Sequence, residues 1–230
     1  MRKNETVRVT VEDINNLGYG VGHLDGLTVF VRGGVTGETV TAKVIKVTKS
    51  YLVALAQEIP ESPPNRCAPD CDSYPACGGC VYRHITYAHE LELKRAYVAN
   101  AFRKAGVNAE VAEVRTTGKT EGYRNKAQFP VAMGKTGIEA GFFEKGTHNV
   151  VPVEHCRIQP ACAEQARSAV LRYARRWSVP AYDETARTGL LRHIYVRYAA
   201  ATGQVLVCLV VNGERLPQED ALVDTLRKAV

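Results

Sequence analysis

Cys71-Asp-Ser-Tyr-Pro-Ala-Cys77-Gly-Gly-Cys80 sets three thiols within ten residues at the spacing C-x5-C-x2-C. The two-residue gap between Cys77 and Cys80 lets one tight turn bring both sulfurs to a single metal centre. Gly78 and Gly79 supply the backbone freedom for that turn and leave room for a bulky group. Three thiolates leave a tetrahedral zinc or a four-iron cluster one ligand short. Cys67 would complete a local set, C-x3-C-x5-C-x2-C, that suits zinc. Cys156, in Pro152-Val-Glu-His-Cys156-Arg157, would instead tie a remote segment to the centre, as iron–sulfur proteins often do. Disulfides are the competing reading. Against them stand an odd total of seven cysteines, a chain too long to need staples, and a start, Met1 to Thr10, that does not read as a signal peptide.

Upstream of this stretch the chain reads as short strands joined by glycine turns. Thr6–Glu12 alternates Val7, Val9 and Val11 with polar residues, Thr28–Val31 is β-branched and aromatic, Thr39–Val47 alternates again, and Tyr51–Ala56 is apolar. So many strands in so short a span, with no helical period, predict a small closed barrel of the OB type, because closure removes the sheet's edges. Gly18, Gly20 and Gly22 do not form a dinucleotide loop, since a turn and another strand follow them instead of a helix. They are expected to be turn formers. One face of the barrel is expected to carry Phe30, Arg32, Lys46, Lys49 and Tyr51, side chains suited to stacking bases and meeting phosphates. Glu61-Ser-Pro-Pro-Asn-Arg66 reads as a linker.

Downstream, residues 86–105 carry Tyr87, Leu91, Val98, Ala101 and Phe102 at helical spacing, with Gly106 as C-cap. Strands are expected at Tyr123–Val131, Ile138–Phe143 and Val150–Val153. A second helix follows Pro160, with Cys162, Ala166, Ala169, Val170, Tyr173 and Trp177 along one side. After Pro180, Arg192–Ala199 alternates. Val205–Val211 is uniformly apolar, as in a central strand, which makes Cys208 a packed core thiol. A last helix starts after Pro217 and stops at Val230 in mid-pattern, which suggests that the natural chain continues.

The whole is mixed β and α+β. A chain of 230 residues holds one large or two small domains, and the expected division is a barrel over 1–60 and an α+β central domain over 61–230. No apolar run approaches the roughly 20 residues that span a bilayer, so no membrane partner is expected and the protein is read as soluble and cytoplasmic. Thirty basic residues against 24 acidic ones give a formal charge of +6, which permits a polyanionic partner without demanding one.

Together these features resemble the bacterial RNA uracil-5 methyltransferases with an N-terminal TRAM domain and an iron–sulfur cluster, the family that methylates uridines in 23S ribosomal RNA. The resemblance spans essentially the whole chain. It rests on Gly18-Tyr-Gly-Val-Gly22 and Phe30 through Glu38 in the barrel, on the cysteine spacing, on Gly122-Tyr-Arg-Asn-Lys-Ala-Gln-Phe-Pro130, on Gly141-Phe-Phe-Glu-Lys-Gly146 and on Val153-Glu-His-Cys156. It implies that Cys71, Cys77, Cys80 and Cys156 hold a structural 4Fe-4S cluster, leaving Cys67 spare, and that Tyr123, Arg124 and Lys126 contact RNA. It also implies a departure. The family's S-adenosylmethionine-binding domain has no counterpart among these residues, so the chain reads as the RNA-recognition and cluster part of such an enzyme, inactive by itself. The helix over 86–106 would then pack on the methyltransferase domain of the same full-length chain. The alternative is a stand-alone zinc or iron–sulfur RNA-binding module. An electron carrier is disfavoured, since ferredoxins concentrate their ligands in compact motifs.

Overall fold

A computed structural model describes residues 1–60 and 62–230. The expected domain boundary and the first linker residue fall on Glu61, which lies outside the described residues. The chain forms two compact units: Met1–Asp72 with Cys80–Thr116, and Ser73–Gly79 with Thr117–Val230.

In the first unit, β1 (Thr6–Thr10), β2 (Asp13–Ile14), β3 (Tyr19–Leu24), β4 (Leu27–Arg32), β5 (Thr39–Val47) and β6 (Tyr51–Glu58) form one sheet in the order β1-β5-β6-β4-β3-β2. β4 and β6 run parallel and the other pairs antiparallel. Alternation sends Val9, Val29, Val31, Val40, Ala42, Leu52 and Ala54 inward to a common core, joined by Val11 just past the end of β1, and leaves the intervening residues outside. The sheet curls until β1 and β3 nearly touch. A Cβ added at Gly22 would lie 2.3 Å from the Thr10 carbonyl oxygen, and one at Gly20 2.7 Å from a Val11 methyl. These two glycines are therefore strand residues that permit close approach, and only Gly18, at φ 74°, is a turn former.

The segment after the barrel is pinned to it. Arg66 donates from Nε and Nη2 to the two carboxylate oxygens of Glu38 and, at 2.6 Å, to the Gly33 carbonyl. Glu38 also accepts the Val35 N–H at 2.8 Å, and its side chain is fully buried. His84 is buried beside this pair. Burial, with help from the Arg66 charge, drives its pKa down to about 4. An unfolded histidine takes its proton near 6.5, so between these two values the unfolded chain binds the extra proton. Stability of the first unit is therefore complete above about pH 6.5 and falls as pH drops toward 4, by up to about 3 kcal/mol. Urea midpoints at pH 7 and 4.5 should show this drop, and His84→Gln should flatten it.

α1 (Tyr87–Lys104) starts at Thr86, whose hydroxyl accepts the His89 N–H. Its inward side is His89 and Leu93, the latter packed with Ile14, Val35 and Ile85. Val98 and Phe102 of the periodic stripe lie outward, 41% and 38% exposed.

In the second unit, β7 (Lys126–Gly134), β8 (Gly137–Phe143), β9 (Val150–Pro152), β10 (Leu191–Ala199) and β11 (Gln204–Val211) form an antiparallel sheet in the order β11-β10-β7-β8-β9. α2 (Ala161–Arg176) and α3 (Glu219–Arg227) pack their buried residues, among them Ala166, Val170, Tyr173 and Leu222, with Phe129, Ile194 and Val196 of the sheet. The Tyr173 hydroxyl donates to the Pro217 carbonyl, which ties α2 to the start of α3. β11 is an edge strand and not a central one. Leu206, Cys208 and Val210 are exposed while Val205, Val207 and Leu209 pack against the core. Cys208 is accordingly a surface thiol, for the apolar run buries only one of its two faces. Among the described residues no helix is long and apolar enough to cross a membrane.

Candidate nucleic-acid interface and thiol sites

The outward positions of the barrel strands build an aromatic and cationic surface. Phe30 and Tyr51 meet edge to face, with centroids 5.5 Å apart. Lys46 lies 5.6 Å from the Tyr51 ring centre, and its Nζ donates to the Tyr51 hydroxyl at 3.3 Å. The pairing that sets Tyr19 opposite Arg32 places the guanidinium 5.4 Å from the Tyr19 ring. Lys49 is exposed in the turn between β5 and β6. The structure thus joins Phe30, Tyr51 and Lys46 in one cluster and gives Arg32 a partner that sequence reasoning missed. The signal for Tyr19 was present, an aromatic residue set between two glycines. Such a surface offers π-faces for bases and cations for phosphates.

In the second unit, Tyr123 and Arg124 are exposed just before β7, where the Arg124 N–H donates to the Ile158 carbonyl at 3.0 Å. Lys126 opens β7, exposed and opposite Arg197 of β10.

Cys67, Cys71, Cys80, Cys162 and Cys208 are free thiols, and Cys71, Cys77, Cys80 and Cys156 are each partly exposed. Within the first unit, Arg83 interacts with both Cys71 and Cys80. Burial weakens its charge, but Asp70, paired with it at 2.9 Å, the Cys80 thiol bonded to it, and Cys71 hold it above the ordinary arginine value. Cys67 is bound differently. Its N–H donates to the His84 carbonyl at 3.1 Å and its thiol to the Arg83 carbonyl at 3.7 Å, and burial pushes its pKa up.

Within the second unit, the Cys77 loop rides on the end of β8. The Gly78 N–H donates to the Phe143 carbonyl at 2.9 Å, and Cys77 bridges to Glu144. A Cβ on Gly78 would stand 2.9 Å from that same Phe143 oxygen, so the first glycine of the pair is sterically required. The Gly79 N–H donates to the Cys77 sulfur at 3.4 Å. Cys156 is fixed through its N–H, which Glu164 accepts. Arg167 donates to the Glu154 carbonyl at 2.9 Å, and although burial lowers its pKa, Glu164, Glu154 and the Cys156 thiol favour its charge. These are thiols with adjacent N–H donors and cations, the chemistry an anionic iron–thiolate cluster needs. Among the described residues, however, no three His, Cys, Asp or Glu side chains already converge as a metal cage.

A family model described as the TRAM domain matches residues 2–56, so the barrel is a TRAM domain. The full chain is also 35% identical to an uncharacterised RNA methyltransferase of Clostridium tetani, over 98% of its own length and 49% of the relative's. It is 34% identical to one of Halalkalibacterium halodurans, over 100% and 51%, and 36% identical to one of Clostridium acetobutylicum, over 97% and 49%. The chain is homologous to RNA methyltransferases and spans about half the length of the curated relatives it matches. Its fold is shared with part of the Pyrococcus abyssi tRNA (uracil-54, C5)-methyltransferase crystallised with S-adenosyl-L-homocysteine. That likeness has a TM-score of 0.69 at 23% identity, over 94% of this chain and 48% of that one.

Proposed function

We propose that residues 1–230 form the RNA-gripping and cluster-holding portion of an S-adenosylmethionine-dependent RNA uracil-5 methyltransferase acting on ribosomal RNA. The observation that carries this reading is the outward Phe30–Tyr51–Lys46 cluster with its neighbouring Tyr19–Arg32 pair, in a chain homologous to RNA methyltransferases. The cations fix phosphates, and the rings stack unpaired bases near a uridine presented for methylation. Tyr123, Arg124 and Lys126 add a second set of contacts. The methyl donor and the catalytic nucleophile belong to a methyltransferase domain of the same protein outside these residues, so the 230-residue chain transfers no methyl group by itself. The bare side of α1, Tyr97, Val98 and Phe102, packs on that domain.

Cys71, Cys77, Cys80 and Cys156 hold a 4Fe-4S cluster. When bound, it supplies iron–thiolate cross-links between distant parts of the chain. Arg83 and Arg167 offset its negative charge, and the Gly79 N–H donates to the Cys77 sulfur. Cys67, kept protonated by burial, is not a ligand.

Binding of a labelled uridine-containing ribosomal RNA hairpin tests the function. Phe30→Ala should weaken it about five- to hundredfold, and incubation with S-adenosylmethionine should leave the RNA unmethylated. A chain that binds no RNA, or one that methylates it, overturns the proposal. Anaerobic absorption and metal analysis test the cluster. About four irons per chain with a broad visible band should be lost in Cys156→Ser and kept in Cys67→Ser. One zinc per chain, lost with Cys67 and indifferent to Cys156, would replace the cluster by a local zinc site and favour a stand-alone binding module.

A further inference from the structure

The second unit's sheet has one face covered by helices and one left open, and the open face has an unusual composition. β-Pairing sets Lys126 opposite Arg197 and Arg197 opposite Leu206. One step along, Gln128 lies opposite Tyr195 and Tyr195 opposite Cys208. The residues between them, Ala127, Ile194 and Val196, are buried in the core with α2, so alternation puts all six on the opposite side. Five of the six are exposed and Tyr195 is half-buried. Two cations placed directly across a strand pair repel each other. Neither Lys126 nor Arg197 is paired with a carboxylate among the described residues. An arrangement that weakens the sheet and leaves both charges uncompensated is matched by an anion arriving from outside.

We infer that this open face is a platform for a single-stranded RNA segment, with Lys126 and Arg197 clamping a phosphate, Tyr195 stacking a base and Gln128 hydrogen-bonding that base's edge. The inference rests on the RNA-binding reading above and extends its contacts from Lys126 across the sheet. A single strand is specified over a duplex because a ring can stack only on a base that is already unpaired, and A-form helices withhold theirs. The edge strand supports this. Cys208, opposite Tyr195, and Leu206, opposite Arg197, extend the tyrosine's apolar surface toward the edge of the sheet, where a neighbouring base finds a flat contact. Rows two residues apart along a strand are separated by about 6.6 Å, so phosphate and base engage adjacent rows of one surface.

The test is fluorescence anisotropy on the 230-residue chain with a labelled twelve-nucleotide oligouridine and with a duplex RNA of equal length. Tyr195→Ala should weaken oligouridine binding about five- to hundredfold, and Tyr195→Phe should restore it. Lys126→Ala with Arg197→Ala should lower the slope of log affinity against log salt by about 0.7, the share of one phosphate. If oligouridine binding falls in Phe30→Ala but is unchanged in Tyr195→Ala and in the double variant, this platform is wrong while the RNA-binding reading stands. If the unaltered chain binds no RNA, both fail. Duplex bound as tightly as oligouridine and indifferent to Tyr195→Ala would also overturn the platform. So would a Leu206→Ser change that alters oligomeric state with RNA binding untouched, since that marks a protein-docking surface.

Discussion

Arg66→Ala is expected to cost the first unit about 3–5 kcal/mol, because it strands a buried carboxylate. The Glu38 side chain is wholly inaccessible and is paired with Arg66, which is itself 17% exposed. Removing the guanidinium leaves Glu38 with only the Val35 N–H, and it also frees the Gly33 carbonyl that Arg66 covers. The carboxylate must then take up a proton or open the structure to water, and either response is destabilising. The paired replacement of Glu38 and Arg66 by methionine should cost clearly less than Arg66→Ala alone, since no charge is then buried. Urea unfolding followed by hydrogen exchange at the amides of Val29, Val31 and Leu52 reads the first unit, while the chain's one tryptophan, Trp177, reports the second. A loss for Arg66→Ala below about 0.5 kcal/mol, the range of ordinary surface changes, would show that Glu38 is not held by this partner.

Gly141→Ala should be a severely damaging single-methyl change in the second unit. The added Cβ would lie 1.8 Å from the Val151 carbonyl oxygen, 2.7 Å from its carbon and 2.8 Å from the Pro152 Cα. All three atoms are backbone of β9, so no rotamer change relieves the overlap, and β9 must move away from β8. We expect at least about 3 kcal/mol of destabilisation, at the upper end of overpacking effects. Amides of Val150 and Val151 should also exchange early in a hydrogen-exchange experiment. Gly134→Ala is the internal control. There the added Cβ meets only the Glu139 carboxylate, at 2.1 Å, and a flexible side chain can swing aside, so the change should stay within about 0.5 kcal/mol. Equal costs for the two alanines would refute the steric account of Gly141.

Much of the barrel was legible because its strands alternate. β5 runs over Thr39–Val47, the same bounds that the valine pattern predicts, although Lys46, of the same parity as the buried Val40, Ala42 and Val44, reaches the outside through a register shift after Val44 that no local pattern announces. What could not be read was long-range. Gly20 and Gly22 look like turn residues from their neighbours, and only the approach of Thr10 and Val11 explains them. Val205–Val211 is apolar throughout, which fits a strand buried on both faces, yet its place at the sheet's edge leaves Leu206, Cys208 and Val210 uncovered. Arg66 sits in a run of prolines that marks a linker, and nothing local reveals that Glu38, far back in the chain, is its partner. On α1, Val98 and Phe102 follow the helical period and stay outward, whereas His89 and Leu93, which that period does not single out, are the ones that find a core. Of the thiol site, the sequence discloses the residue types and their spacing, while their separate settings beside Arg83 and Arg167 depend on the fold.

Ser73–Gly79 belongs to the second unit, whereas the residues on either side of it belong to the first. The chain therefore crosses between the units at 72/73, at 79/80 and again at 116/117. This has a consequence for the order of biosynthesis. When the ribosome has released the first unit in full, the Cys77 loop is already made but its seat on Phe143 and Glu144 has not been translated. The loop must wait, exposed, until β8 emerges. Expressing residues 117–230 alone would omit that loop from the outset, and one proteolytic cut at the last crossing would not free either unit from the other.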